Sequence, residues 1–157
     1  AGPDMSARSS ITARLMETWA HGQAVYDLMG IERLNTDRIR SVVVMGINTF
    51  GWTFKNRDEP VPTTPPKVAL LAPSGEQWLY HEEAPPTESI EGSAEAFCQV
   101  VTQVRHISDT DLVVSGPVAN AWMSNAQCFA GKPNAGSAYA SPILGLYILS
   151  FIKLSKS

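Results

Sequence analysis

Cysteine and histidine are scarce in this chain, two and three residues of 157. Cys98 and Cys128 have no CxxC or other ligand-like spacing and sit among apolar neighbours. That excludes a disulfide scaffold and a cysteine-rich zinc module, and it predicts two buried structural thiols in a reducing compartment. Excess positive charge is missing as well: the formal net charge is −3, the pI is near 5.6, and Lys and Arg are scattered along the chain. No electrostatic footprint for a nucleic-acid backbone exists, so nucleic acid is not an expected partner. There is no GxSxG elbow, no glycine-rich phosphate loop and no cysteine with a histidine close in sequence. Acyl-enzyme and nucleotide chemistry are therefore unsupported. Long hydrophobic runs are absent too. The most apolar stretch, SPILGLYILSFIKL at 141–154, falls short of the roughly 18–20 residues that cross a bilayer, so no stable membrane span is expected. The opening AGPDMSARSS lacks the basic stretch and apolar run of a secretory signal, and the expected location is the cytoplasm.

Apolar residues make up 44% of the chain, enough to bury a core in one domain or two small ones. The first element is a helix from about Ser6 to Met29, with Asp4 or Ser6 as its cap. Its Ile11, Leu15, Thr18, Gly22, Val25 and Met29 follow a three-and-four spacing and predict the buried stripe. Gly22 on that stripe predicts a close helix contact, since glycine otherwise costs a helix about 1 kcal/mol relative to alanine. Gly30 ends the helix. The segment from Thr36 and Asp37 to Phe54 predicts a second helix through Ile39, Val42, Val43, Gly46, Ile47, Phe50 and Phe54, although the β-branched run Val42–Val44 leaves a strand open. Trp52 and Phe54 are expected in the core.

Four prolines after Glu59 end the helical character and place a boundary there. Beyond it, KVALLA and EQWLYH, separated by a Pro-Ser-Gly turn, read as a β-hairpin. EGSAEAFCQVVTQVRH reads as an amphipathic helix beginning at Glu91 or Ser93, with Ala94, Phe97, Val101 and Val104 on one side. ISDTDLVVSG is a strand or a loop, and the stretch from Pro117 to Gly131 is a last helix. The fold class is α+β, divided as 1–58, 59–133 and an apolar tail, 134–157, of helical or extended structure.

Glu17 and His21 are the chemical pair. Four residues apart on a helix, they share a face, and a carboxylate with a neutral imidazole suits zinc and other first-row divalent ions. A metal centre needs at least one further ligand, and HExxH is absent. His81, at a strand end before Glu82 and Glu83, reads as an exposed strand-end residue or a ligand. His106 reads as a cationic cap at a helix C-terminus. Asp109, Thr110 and Asp111 form a solvated turn or a small cation site.

The runs MSARSSITARLMETWAHGQAVYDLMG, GINTFGWTFKNRDEPVP, LLAPSGEQW, FCQVVTQVRH and GPVANAWMSNAQCFAG, in that order over residues 3–133, resemble metal-binding proteins related to mycothiol-dependent maleylpyruvate isomerase, of the DinB/YfiT-like superfamily. The resemblance implies two helices of a DinB-like bundle, lacking its N-terminal half, followed by a small α+β sterol-carrier-like domain. It implies that Glu17 and His21 bind a divalent metal, zinc first, together with a His from an earlier helix, and that the metal activates a low-molecular-weight thiol for isomerase or transferase chemistry. It also implies an arginine of the second domain contacting an anionic substrate, with Arg105 nearest by position. Two helices without the rest of a bundle would expose an apolar face, so the alternative is a non-catalytic, homo-oligomeric interaction protein that retains the fold.

Overall fold

The computed structural model describes residues 7–128. The expected caps Asp4 and Ser6 and the apolar tail lie outside the described residues, whereas the last helix ends at Asn125, where Ala126 turns extended, and does not run on to Gly131 as expected. Helix α1 runs Ala7–Met29, α2 Arg40–Asn48 and α3 Phe50–Lys55. Strands β1 Lys67–Leu71, β2 Gln77–Tyr80 and β3 Ser89–Ser93 follow, then α4 Ala94–Val101, β4 Val113–Ser115 and α5 Pro117–Asn125. The described chain is thus α+β, with five α-helices and a four-stranded sheet in the order β2-β1-β3-β4. β1 pairs antiparallel with β2, as the hairpin reading requires, and parallel with β3.

The second helical segment buries the predicted row: Ile39, Val42, Val43, Ile47, Phe50 and Phe54 all lie in the core. It is bent rather than continuous. Thr49 turns its hydroxyl back onto the carbonyls of Met45 and Gly46, at 2.9 and 3.0 Å, which satisfies the backbone locally and separates α2 from α3. Trp52 is 37% exposed, against the expectation of a core residue. Phe50 and Phe54, one turn apart, take the inward side of α3, and a residue midway between them must face out.

Helix α1 reverses the expected orientation. Its inward row is Met16, Trp19, Ala20 and Gln23, each at most 7% exposed, whereas Ile11, Leu15, Val25 and Met29 are 62, 53, 45 and 64% exposed. Both rows satisfy helical spacing, and apolar residues lie nearly all round this helix, so periodicity alone could not choose between them. Trp19 decides it through tertiary contacts: its indole N–H donates to Asn35 Oδ1 at 2.9 Å, and the Arg33 guanidinium lies over its ring. The nearest neighbour of Gly22 is not a helix. A Cβ there would sit 3.1 Å from the Arg33 guanidinium, so an arginine occupies the space the glycine leaves. The close helix contact is at Gly46 of α2, where a Cβ would meet Phe97 and Val101 of α4 at 2.9 and 3.0 Å.

The segment around β3 also differs from the sequence expectation. Residues 89–93 extend beside β1 before the chain turns into α4, with Ser93 Oγ capping the helix by accepting from Ala96 N at 3.1 Å. α4 ends at Val101 instead of running on to His106. Gln103 takes φ 60°, and the amides of Val104 and Arg105 both turn back to the Gln99 carbonyl, a helix termination without glycine. Helix α5 begins at Pro117, and the Glu88 carboxylate accepts from the amides of Val118 and Ala119, placing negative charge at a helix N-terminus. One cluster of buried side chains draws on both sides of the proline-rich boundary, from Met16, Trp19 and Val43 to Ile90, Phe97 and Trp122.

Candidate functional site

The outward side of α1 carries the chemical pair. Glu17 is exposed and His21 half-buried, one turn apart, and the residues around them on that side are Arg14, Thr18, Val25 and Leu28. The burial of Met16, Trp19 and Ala20 sets this orientation, because anchoring those three against the core turns positions 17 and 21 away from it. The spacing and donor types fit two ligands of a divalent ion. The rest of a donor set is not at hand: among the described residues, no three His, Cys, Asp or Glu side chains gather into a group that could hold a metal.

The other two histidines are used elsewhere. His81 follows β2 in a left-handed conformation, φ 55°, with Nδ1 3.1 Å from the Pro66 carbonyl oxygen; it is partly buried, not exposed as expected. His106 is a cap of the opposite sense to the one expected. Its Nδ1 accepts the Ser108 amide at 3.1 Å and so begins the 3-10 turn Ile107–Asp109, a role for an imidazole nitrogen that carries no proton. Asp109, Thr110 and Asp111 form a wired turn: Thr110 Oγ1 donates to the Ile107 carbonyl, and Asp111 accepts from Ser93 Oγ.

Arg105 lies at the other end and on the other side of α1. Its Nη2 is 2.6 Å from Asp27 Oδ1, which also accepts from Gln23 Nε2 at 3.0 Å. The ion pair ties the last turns of α1 to the segment after α4. Beside it opens a cleft of about 380 Å³ whose lining includes Gln23, Arg33, Glu95, Gln99 and Arg105. Sequence reasoning singled out Arg105 but missed Gln23 and Arg33. Gln23 is 3% exposed and its Oε1 has no hydrogen-bond partner, and Arg33 reaches back to donate to the Trp19 carbonyl at 2.7 Å. No local pattern marks either residue, since each acquires its place by folding.

Both thiols are unpaired, and Cys98 is fully buried. Burial, then the neighbouring Cys128, then Glu95 push the Cys98 thiol well above its ordinary range. Burial pushes Cys128 up to about 12, opposed by its hydrogen bond with Thr49. A thiol whose folded pKa is raised favours the native state while protonated. Its stabilisation is complete below the unfolded value near 9 and is lost as pH rises toward about 12. Urea midpoints are therefore expected to fall steeply through that alkaline window, and less steeply in Cys128→Ala; identical slopes in the two proteins would contradict the assignment.

The chain is 43% identical over 135 residues, 86% of its own length, to the uncharacterized protein Rv0036c of Mycobacterium tuberculosis strain ATCC 25618 / H37Rv. It matches the uncharacterized protein MT0041 of strain CDC 1551 / Oshkosh to the same extent. The chain spans about half the length of these curated relatives, 52%. No family model and no solved structure matches it. Among the described residues no helix is long and apolar enough to cross a membrane.

Proposed function

We propose that α1 supplies Glu17 and His21 to a divalent metal centre, zinc first among the candidates, in a cytoplasmic protein related to thiol-dependent isomerases and transferases. The observation that carries this reading is the pair's position: one turn apart on the outward side of α1, beside Arg14 and Thr18 and the exposed apolar side chains of Val25 and Leu28. Such a surface is where a further ligand-bearing segment would pack, and a site formed beneath it would be screened from water. With two side-chain ligands and a third donor, a zinc ion would keep an open position for a low-molecular-weight thiol and favour its thiolate. Glu17 and His21 would hold and orient the ion, and the apolar flank would limit water. We read α1 to α3 as part of a DinB-like bundle and the sheet with α4 and α5 as the sterol-carrier-like portion. Arg105, at the cleft, is the residue we place against an anionic group of a small substrate.

The test is metal content. Protein purified without chelators is expected to carry zinc that is lost in both Glu17→Ala and His21→Ala, with helicity by circular dichroism unchanged because both side chains project from the outward side of α1. Zinc retained in both variants would sink the reading. The second reading, a non-catalytic interaction protein that self-associates, is favoured by the exposed apolar row of α1; a metal-free oligomer is its expected signature.

A further inference from the structure

The cleft beside Arg105 lies on the flank of α1 turned away from Glu17 and His21, and its walls come from the end of α1, the segment after it, α4 and Arg105. Its charges are not all matched. Asp27 is taken, by Arg105 at 2.6 Å and by Gln23 Nε2 at 3.0 Å. Arg33 stacks its guanidinium over Trp19 and Tyr26, 5.1 and 5.5 Å from the ring centres, and donates to the Trp19 carbonyl, yet among the described residues no carboxylate pairs with it. Glu95 accepts from Gln99 Nε2 at 3.3 Å and has no cationic partner among the described residues either. Both charged side chains are half-buried. Deeper still, Gln23 is 3% exposed, and its Oε1 is an acceptor without a donor.

Resting on the reading of Arg105 as a contact for an anionic group, we propose that this cleft binds a small zwitterion of the amino-acid class, its carboxylate on Arg33 and Arg105 and its ammonium on Glu95, with Gln23 Oε1 as the deeper acceptor. A buried polar group without a partner is costly, and two opposite charges and an acceptor left unmatched around one cleft are matched together by a molecule that carries both charges. A guanidinium presents several N–H donors in a planar fork suited to a carboxylate. Arg33 spends one nitrogen on the Trp19 carbonyl and Arg105 one on Asp27, so both keep donors for a ligand.

The alternatives match less of the cleft. A dicarboxylate sets its second negative charge against Glu95, and a simple amine leaves Arg33 without an anion. Glu32 also lines the cleft, but it is exposed at the rim, where water and salt screen it, so the ammonium belongs on Glu95. Size limits the ligand as well. At about 380 Å³ the cleft is at the small end of ligand sites, about 300–1,000 Å³, which suits an amino acid or a dipeptide. Tyr26 and Ile31 offer apolar surface to its side chain.

Titrations of the 157-residue protein followed by backbone amide NMR shifts, with the common amino acids as probes one at a time, test this. EDTA in the buffer makes the outcome independent of the metal centre. At least one amino acid is expected to bind with Kd at or below about 0.1 mM and to move the amides of Gln23, Arg33 and Gln99. Its N-acetyl derivative, which lacks the ammonium, and its carboxamide, which lacks the carboxylate, should each bind about ten- to a hundredfold more weakly, the worth of a hydrogen bond to a charged group. Glu95→Gln should weaken the amino acid by the same factor and leave the N-acetyl derivative unchanged. Arg105→Gln, the second variant, should weaken the amino acid and its N-acetyl derivative alike. An N-acetyl derivative that binds as well as its parent, with Glu95→Gln without effect, overturns the zwitterion and leaves Arg105 as a contact for an anion. If neither amino acids nor their N-acetyl derivatives move the amides around the cleft, the reading of Arg105 falls with the proposal.

Discussion

Trp122→Ala is expected to destabilise the fold by about 3–5 kcal/mol. Trp122 is fully buried on α5, edge-to-face with Phe50 of α3 at 5.0 Å and with Phe97 of α4 at 5.8 Å. Three elements from both sides of the proline-rich boundary therefore meet on one ring. Its removal forfeits the transfer energy of one of the largest side chains in the core, leaves a cavity, and ends two aromatic contacts worth about 0.5–1.5 kcal/mol each beyond their area. Against a typical total of about 5–15 kcal/mol, that is a large share of stability. Urea denaturation followed by far-ultraviolet circular dichroism measures it. If helices 1–3 and the sheet were energetically independent, two transitions would separate and only the later-sequence one would move; a single transition shifted as a whole is expected.

Gly46→Val is expected to cost about 3 kcal/mol, the upper end of ordinary overpacking. Its first added carbon would lie 2.9 Å from Phe97 and 3.0 Å from Val101, whose side chains are 0% and 1% exposed and have no solvent to yield into. Replacing a helical glycine gains back less than about 1 kcal/mol, and the clash outweighs it. Gly51 in α3 gives the opposite sign. A Cβ there meets only Val61, at 3.6 Å, an ordinary contact, so Gly51→Ala should stabilise by about 0.5–1 kcal/mol. Midpoints moving in the same direction for both variants would show that helix propensity, not the α2–α4 contact, governs position 46.

The core row of α2 and α3 was legible because its apolar residues fall on one side and few compete. The hairpin was legible because Pro73, Ser74 and Gly75 mark the turn between two β-type runs. β3 was not: SIEGS has a single apolar residue, and it is a strand because β1 lies beside it. Nor was the end of α4, where Gln103 rather than a glycine adopts the left-handed turn. For the candidate site, the pairing of Glu17 with His21 followed from spacing alone, and the structure adds the side of α1 on which the pair lies. The ion pair of Arg105 with Asp27 spans 78 residues, and no local signal reports a contact at that separation.

Sequence by itself determined what depends on near neighbours: the α+β class, the helical character of the chain before the proline run, the turn at residues 73–75, the absence of a basic face, and one helical turn bearing a carboxylate and an imidazole. Tertiary structure alone decided the rotation of α1. Two apolar rows on that helix were equivalent locally, and the Trp19–Asn35 hydrogen bond and the stacking of Arg33 selected the one that went inward. Burial is a competition among surfaces that are distant in sequence. Its outcome left the other row, and Glu17 and His21 with it, facing outward.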